Sequence, residues 1–217
     1  MHPKYLISFF SLLAILVLGS CSSAYYGAME QFGVHKRDIL VDRVEEARDS
    51  QEEAKEQFSS ALEQFTVLLE YDGGDLQDTY NSLNSEFELS ESRAEEVRDR
   101  IRSVENVAED LFSEWEDELE LYTNQSLRRS SETTLRQTRV RYTQLIGAMH
   151  SAESKMNPVI DAFRDQVLFL KHNLNSRAIS SLRSELLSIE GDISALISDM
   201  EDSIAESNRF LEEIELI

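Results

Sequence analysis

The sequence predicts an all-α protein, an elongated antiparallel four-helix bundle with coiled-coil packing. Three observations carry this prediction. The 217 residues include only 7 glycines and 2 prolines, so few helix breaks are available. Apolar residues recur at alternating steps of three and four along most of the chain, as in coiled coils. Finally, the stripes of consecutive helices match each other when the chain is folded back on itself.

The first two helices, expected at about 36–71 and 76–122, form the clearest hairpin. They are separated by Gly73 and Gly74, which suit a helix end and a turn. Facing positions of an antiparallel pair have residue numbers with a constant sum, and these stripes obey that rule. Large residues also face small ones, as in a filled core. The matched stripes are Leu40, Val44, Ala47, Gln51, Ala54, Phe58, Ala61, Phe65 and Leu68, facing Ala108, Val104, Ile101, Val97, Ala94, Ser90, Phe87, Leu83 and Tyr80.

Two further helices are expected at about 130–173 and 177–215, and they form a second hairpin. The apolar step changes beside Pro158, which predicts one kinked helix there rather than two. Residues 123–177 are net positive, while residues 91–122 and 178–217 are each strongly negative. A positive third helix between acidic neighbours is electrostatically sensible, although each exposed ion pair adds little stability.

Residues 1–20 resemble a bacterial lipoprotein signal peptide. His2 and Lys4 form a short positive region, and an apolar run too short to span a bilayer follows it. Leu18, Gly19 and Ser20 then precede Cys21, the only cysteine, as in a lipobox. We expect Cys21 to be the lipidated, palmitate-bearing N-terminus of the mature chain, followed by a juxtamembrane segment over 21–35. The alternative is a cysteine that happens to follow an ordinary secretory signal.

These features predict a location in the cell envelope, facing the periplasm. Ser22 is not the aspartate that favours inner-membrane retention, so we expect the inner leaflet of the outer membrane. The lipid would make the membrane itself a partner. The net charge of −21 argues against a nucleic-acid partner.

Two stretches resemble an uncharacterised bacterial lipoprotein family, the domain of unknown function 2959. The first contains Tyr25-Tyr26, Met29-Glu30 and the run from Phe32 to Val44, and the second runs from Phe163 to Asn175. The resemblance covers nearly the whole mature chain. It implies an envelope location and a helical body, but it supplies no catalytic or ligand residues.

The motifs of enzymes are missing from the sequence, so we expect no catalytic residues, no cofactor and no metal. His150 and His172 lie about 33 Å apart along one helix, too far to share a metal. Neither belongs to a Glu-x-x-His motif. Glu118 falls on the apolar stripe, so we expect it to be buried beside an arginine.

Arg128, Arg129, Arg136, Arg139 and Arg141 stand out in this acidic chain. One interpretation pairs them with the acidic end of the second helix, Glu114 to Glu120. The other uses topology. The second helix returns to the end that carries Cys21, so Arg128 and Arg129 would contact phospholipid head groups.

At the opposite end, the first hairpin is expected to extend past the second. Leu69, Tyr71, Leu76 and Tyr80 would then be partly uncovered and form a partner surface. The alternative is that the hairpin covers itself.

The leading functional hypothesis is therefore a non-enzymatic envelope lipoprotein, a periplasmic scaffold or protein-interaction module with an envelope protein as partner. The alternative is a binding protein for a small or lipid-like ligand in the bundle core. Self-association through the small-residue middle of the first hairpin is also compatible with the sequence.

Overall fold

A computed structural model describes residues 35–70 and 76–214. These residues form an all-α bundle, as the sequence predicts. The helices are α1 (Lys36–Leu69), α2 (Leu76–Leu119), α3 (Gln125–His172), α4 (Ser176–Leu182) and α5 (Leu186–Ile214). In the described part of the chain, none of them is long and apolar enough to cross a membrane.

The four long helices form a closed ring of antiparallel neighbours. Helix α1 packs against α2 and α5, and α3 packs against the same two helices. Ion pairs show the direction of the first hairpin: Arg93 contacts Glu53 at 2.5 Å, and Arg100 contacts Glu46 at 2.8 Å. Seven residues forward on α2 thus correspond to seven residues back on α1, as the matched stripes require.

The stripes predicted to face each other form the core of the first hairpin. All eighteen of these residues are buried, from Leu40 with Ala108 to Leu68 with Tyr80. The two hairpins meet around aromatic side chains, since the rings of Phe65 on α1 and Phe163 on α3 pack edge to face with centroids 5.9 Å apart. This geometry is favourable for aromatic pairs. The core therefore runs continuously between the two hairpins.

Helix α3 continues through Pro158, so the expectation of one helix rather than two is confirmed. Its start, however, was predicted too late. It begins at Gln125 because Asn124 caps it: Asn124 Oδ1 accepts hydrogen bonds from the backbone N–H of Ser126 and Leu127, at 2.9 and 3.3 Å. Arg128 and Arg129 consequently lie in the first turns of a helix rather than in a loop.

The fourth helix was predicted to be unbroken, and this is wrong. Residues 183–185 form a turn between α4 and α5, in which the N–H of Glu185 donates to the carbonyl of Leu182 at 3.0 Å. Serine hydroxyls nearby bond to carbonyls three residues back, from Ser181 to Ala178 at 2.7 Å and from Ser184 to Ser181 at 3.0 Å. Such bonds compete with regular helical geometry.

This break corrects the expectation at the far end of the bundle, which the last residues of α1, the first of α2 and helix α4 form in the described part of the chain. The predicted exposure of Leu69 and Tyr80 is wrong, because they are only 2% and 8% exposed, while Leu76 is half-buried. Helix α4 packs against α1, and the Arg183 guanidinium donates two hydrogen bonds to the Leu69 carbonyl, at 2.9 and 3.1 Å. The far end of α1 is thus covered. Tyr71 lies outside the described residues.

Candidate functional site at the entry end

The entry end is the end of the bundle where the described chain begins. It is formed by residues 35–37, at the start of α1, and by residues 111–132, which include the end of α2 and the start of α3. Lys36 Nζ forms an ion pair with Glu114 of α2 at 2.7 Å. The indole N–H of Trp115 donates to Ser131 Oγ of α3 at 2.8 Å. These two contacts join three helices, and the first of them fixes the position at which α1 begins. Cys21 itself lies outside the described residues.

Two contacts show that α2 and α3 extend past their neighbours at this end. Lys36, the first residue of α1, is level with Glu114. Arg141 of α3 pairs with Glu213, near the end of α5, at 2.6 Å. Helix α3 begins sixteen residues before Arg141, so at 1.5 Å per residue it extends about 24 Å beyond that level. We call this projecting part, residues 119–131, the α2–α3 tip.

The arginines divide between the two interpretations. Arg128 pairs with Glu120 and Arg139 with Glu116, each at 2.5 Å, so the predicted pairing across α2 and α3 is confirmed for these two. Within the described residues, Arg129 and Arg136 have no carboxylate within 4.0 Å, and both are exposed. Arg129 is therefore the cation of the tip that is open to an external ligand.

Arg139 also packs on an aromatic pair. Its guanidinium lies 5.2 Å from the ring centroid of Phe112, which in turn packs edge to face on Tyr142 at 5.4 Å. The hydrogen bond from Arg139 lowers the pKa of Glu116. Burial, with smaller effects of Glu105 and Glu109, raises the pKa of Tyr142 to about 12. The contacts of Arg139, Glu116 and Tyr142 with one another's helices therefore have a structural role.

The α2–α3 tip exposes large apolar side chains, which the sequence analysis did not identify. Leu121 is 79% exposed, Leu127 57% and Tyr122 37%. Tyr122 continues the spacing of apolar residues along α2, but it lies three residues past the end of that helix and is not part of the core. Asn124 is the sequence signal for this exposed segment. Because it caps α3, Leu121 lies before the start of that helix and Leu127 lies in its first turn.

The prediction that Glu118 is buried is also wrong, since its side chain is exposed. Near the end of α2 the buried positions shift by one residue: Phe112 is buried as well as Leu111, and Leu119 is buried in place of Glu118. A shift of this kind keeps the carboxylate in water, where a charge has no desolvation cost. Glu118 therefore needs no buried arginine.

Two open grooves lie near this end. One, of about 370 Å³ between α2 and α3, includes Glu116, Leu119 and Arg136 in its lining. The other, of about 560 Å³, includes Lys36, Glu114 and Trp115. Both are partly polar surface features, unlike an enclosed apolar cavity that would hold a lipid-like ligand in the core.

Along the rest of the α2–α3 interface, polar contacts repeat in one constant register. Moving away from the tip, steps of 11, 7 and 7 residues on α3 match the same steps back along α2. The four pairs are Arg139 with Glu116, His150 with Glu105, Asn157 with Arg98, and Arg164 with Glu91. This series fixes the axial position of α3, and thus how far the tip projects.

The two histidines of α3 lie in different environments, and neither environment resembles a metal site. His150 contacts Glu105 at 2.9 Å and Glu153 at 2.8 Å, whereas His172 is exposed near the other end of α3. Among the described residues, no group of three or more His, Cys, Asp or Glu is arranged to hold a metal. His150 is therefore best described as a link between α2 and α3.

The comparisons with known proteins agree with the family resemblance. No curated protein matches the chain. One family model does match, over residues 25–214, and it is described as a protein of unknown function, DUF2959. Because the match covers most of the chain, the chain belongs to the DUF2959 family.

Proposed function

We propose that this protein is a non-enzymatic lipoprotein of the bacterial envelope, a helical rod that acts as a periplasmic scaffold or interaction module. The observation that carries the proposal is the order of two parts of the chain: a segment that resembles a lipoprotein signal peptide, and then the helical bundle. The leader-like segment and Cys21 precede Lys36, which lies near the entry end of a bundle whose longest helix has 48 residues, about 72 Å. Anchoring there would hold the far end well away from the membrane.

The character of the described core supports a scaffold over a ligand carrier. Its layers are filled by side chains, including Phe58, Phe65, Phe163 and Phe210, all 2% exposed or less. The grooves near the entry end are open and partly lined by charged residues. A binding protein for a lipid-like ligand remains the alternative. Native mass spectrometry of the purified protein, with a co-purifying lipid released on unfolding, would favour that alternative.

The anchor is tested by metabolic labelling with an alkyne analogue of palmitate. Wild-type protein should incorporate the label and fractionate with the outer membrane, whereas Cys21→Ser should do neither. An unlabelled wild-type chain would contradict the lipoprotein assignment. Inner-membrane fractionation of labelled protein would correct the location alone.

The scaffold role is tested at the far end by photocrosslinking in cells. A photoreactive residue at Leu76, which is half-buried, or at the exposed Leu187 should crosslink to the same envelope protein in repeated captures. A probe at the exposed Val140, on the side of the rod, is the control. Crosslinks only to a second copy of this chain would indicate self-association, and no crosslink at all would count against a partner at this end.

A further inference from the structure

The α2–α3 tip combines features that suit a membrane interface. It presents Leu121, Tyr122 and Leu127 to solvent, within seven residues of chain, around the cap residue Asn124. Tyrosine is favoured at the level of the head groups because its ring is buried while its hydroxyl stays hydrated. Leucine side chains of interfacial segments are buried at the boundary between head groups and acyl chains. Arg129, beside them, has no ion-pair partner within the described residues.

The tip lies where it can reach a bilayer that holds an anchor at Cys21. Cys21 precedes Lys36 by fifteen residues. A chain of that length spans between about 22 Å, at helical rise, and about 50 Å, fully extended. The tip projects beyond the start of α1 and the end of α5, so it is the part of the described body that would meet the membrane first.

The charges around the tip decide what kind of lipid contact is feasible. Arg128 is occupied by Glu120, and Asp117 and Glu118 are exposed nearby. The local charge is therefore not positive enough for attraction to anionic lipid to dominate, given screening over about 8–10 Å at physiological salt. Apolar insertion must supply the contact, and Arg129 adds a single interaction with a phosphate group.

We propose that the α2–α3 tip inserts Leu121, Tyr122 and Leu127 into the interface of the phospholipid bilayer that holds the anchor. The rod then stands on the membrane through two contacts, the lipid on Cys21 and this tip. The inference rests on the proposed anchoring at Cys21. It assigns to the tip an apolar contact that does not require anionic lipid.

The experiment uses full-length lipidated protein in vesicles of zwitterionic phospholipid. Leu121→Cys and Leu127→Cys each receive a polarity-sensitive fluorophore, and Leu187→Cys is the matched control. Leu187 has the same side chain as Leu121 and nearly the same exposure, 78% against 79%, but it lies at the far end. All three positions are exposed, so the label should leave the fold intact, which thermal unfolding followed by circular dichroism checks.

Labels at 121 and 127 should shift to shorter wavelength in vesicles, and head-group-region quenchers should reduce their emission at least about twofold, since interfacial side chains lie ~5–10 Å deep. The label at 187 should not change. Equal behaviour of all three labels, quenched or unquenched, would overturn the proposal, because it would mean a rod lying flat or a tip remaining in water. Adding anionic lipid should change the result little; a strict requirement for it would also overturn apolar insertion.

The same samples separate this inference from the proposed function. Mass spectrometry reports whether Cys21 carries acyl chains. If it carries none, the anchoring proposal fails by itself, and the labels are then measured in a Cys21→Ala background with vesicles added. If Cys21 is acylated and the tip labels stay unquenched, only the tip contact fails.

Discussion

His150 Nε2 lies 2.9 Å from Glu105 Oε1, which joins α3 to α2, while His150 Nδ1 lies 2.8 Å from Glu153 on its own helix. Partial burial would lower the pKa of His150. The hydrogen bonds to Glu105 and Glu153 outweigh that effect, and the pKa is raised. The charged imidazolium is thus favoured in the folded state, where it donates to both carboxylates.

Stability should consequently depend on pH around this residue. A group whose pKa is raised on folding contributes its full stabilisation below its unfolded pKa, about 6.5, and loses it as pH rises through the folded value. The free energy of unfolding should therefore fall by up to about 1 kcal/mol on going from pH 6 to 8, since the site is about half exposed. Urea unfolding at both pH values measures this.

The control is His150→Gln, which keeps hydrogen-bonding capacity but cannot be charged. Its stability should vary less across the same pH range than that of the wild type. An equal variation in both proteins would assign the pH dependence to other groups.

Gln51 interrupts the apolar stripe of α1 and is fully buried, and neither of its amide atoms has a hydrogen-bond partner within the described residues. An unsatisfied buried polar group costs about 1–3 kcal/mol. Replacement by a side chain of similar volume, in Gln51→Met, should therefore raise the free energy of unfolding by about 1–2 kcal/mol. Denaturant unfolding at constant pH measures the change.

Gln57 is the matched control on the same helix. Its side-chain amide donates to Glu86 Oε2 at 2.7 Å and to the Glu86 carbonyl at 3.1 Å. Gln57→Met removes these bonds and should leave stability unchanged or lower. If Gln51→Met were as destabilising as Gln57→Met, the Gln51 amide would have to be satisfied in solution.

Arg183 satisfies a backbone carbonyl at the C-terminal end of α1, because its guanidinium donates two hydrogen bonds to the carbonyl oxygen of Leu69. Arg183→Ala should free that carbonyl and cost about 0.5–1.5 kcal/mol locally. Amide hydrogen exchange in the last turn of α1 should accelerate by roughly two- to tenfold, as expected from 1.4 kcal/mol per factor of ten. Arg177→Ala, an equal change of charge at an exposed residue of α4, should leave this exchange unaltered.

Phe65 joins the two hairpins through its contact with Phe163. Because it is fully buried, Phe65→Ala should destabilise the protein by about 3–5 kcal/mol. Phe169→Ala, at a residue that is 40% exposed, should cost less than about 1 kcal/mol. Similar losses for the two variants would contradict a core shared by both hairpins.

The outcome at the two ends shows where sequence reasoning stopped being sufficient. Asn124 could have been identified as a cap from its position before a helical pattern, which would have moved the start of α3 to Gln125. The shift from Glu118 to Leu119 and the break at 183–185 were less accessible. Both depend on which residues of the neighbouring helices a side chain contacts. The repeat of apolar residues does not predict such contacts near the end of a helix, where the repeat itself stops.

The sequence by itself determined the all-α class, the antiparallel register of α1 and α2, and the placement of a positive α3 between acidic neighbours. These follow from heptad spacing and charge, which local stretches of chain carry. Only the tertiary structure decided the axial offsets. Arg183 meets Leu69 across 114 positions of sequence, and Lys36 meets Glu114 across 78, and such contacts determine which end is covered and which projects. The axial offsets depend on the relative lengths of helices that separate turns connect, so no local stretch of the sequence determines them.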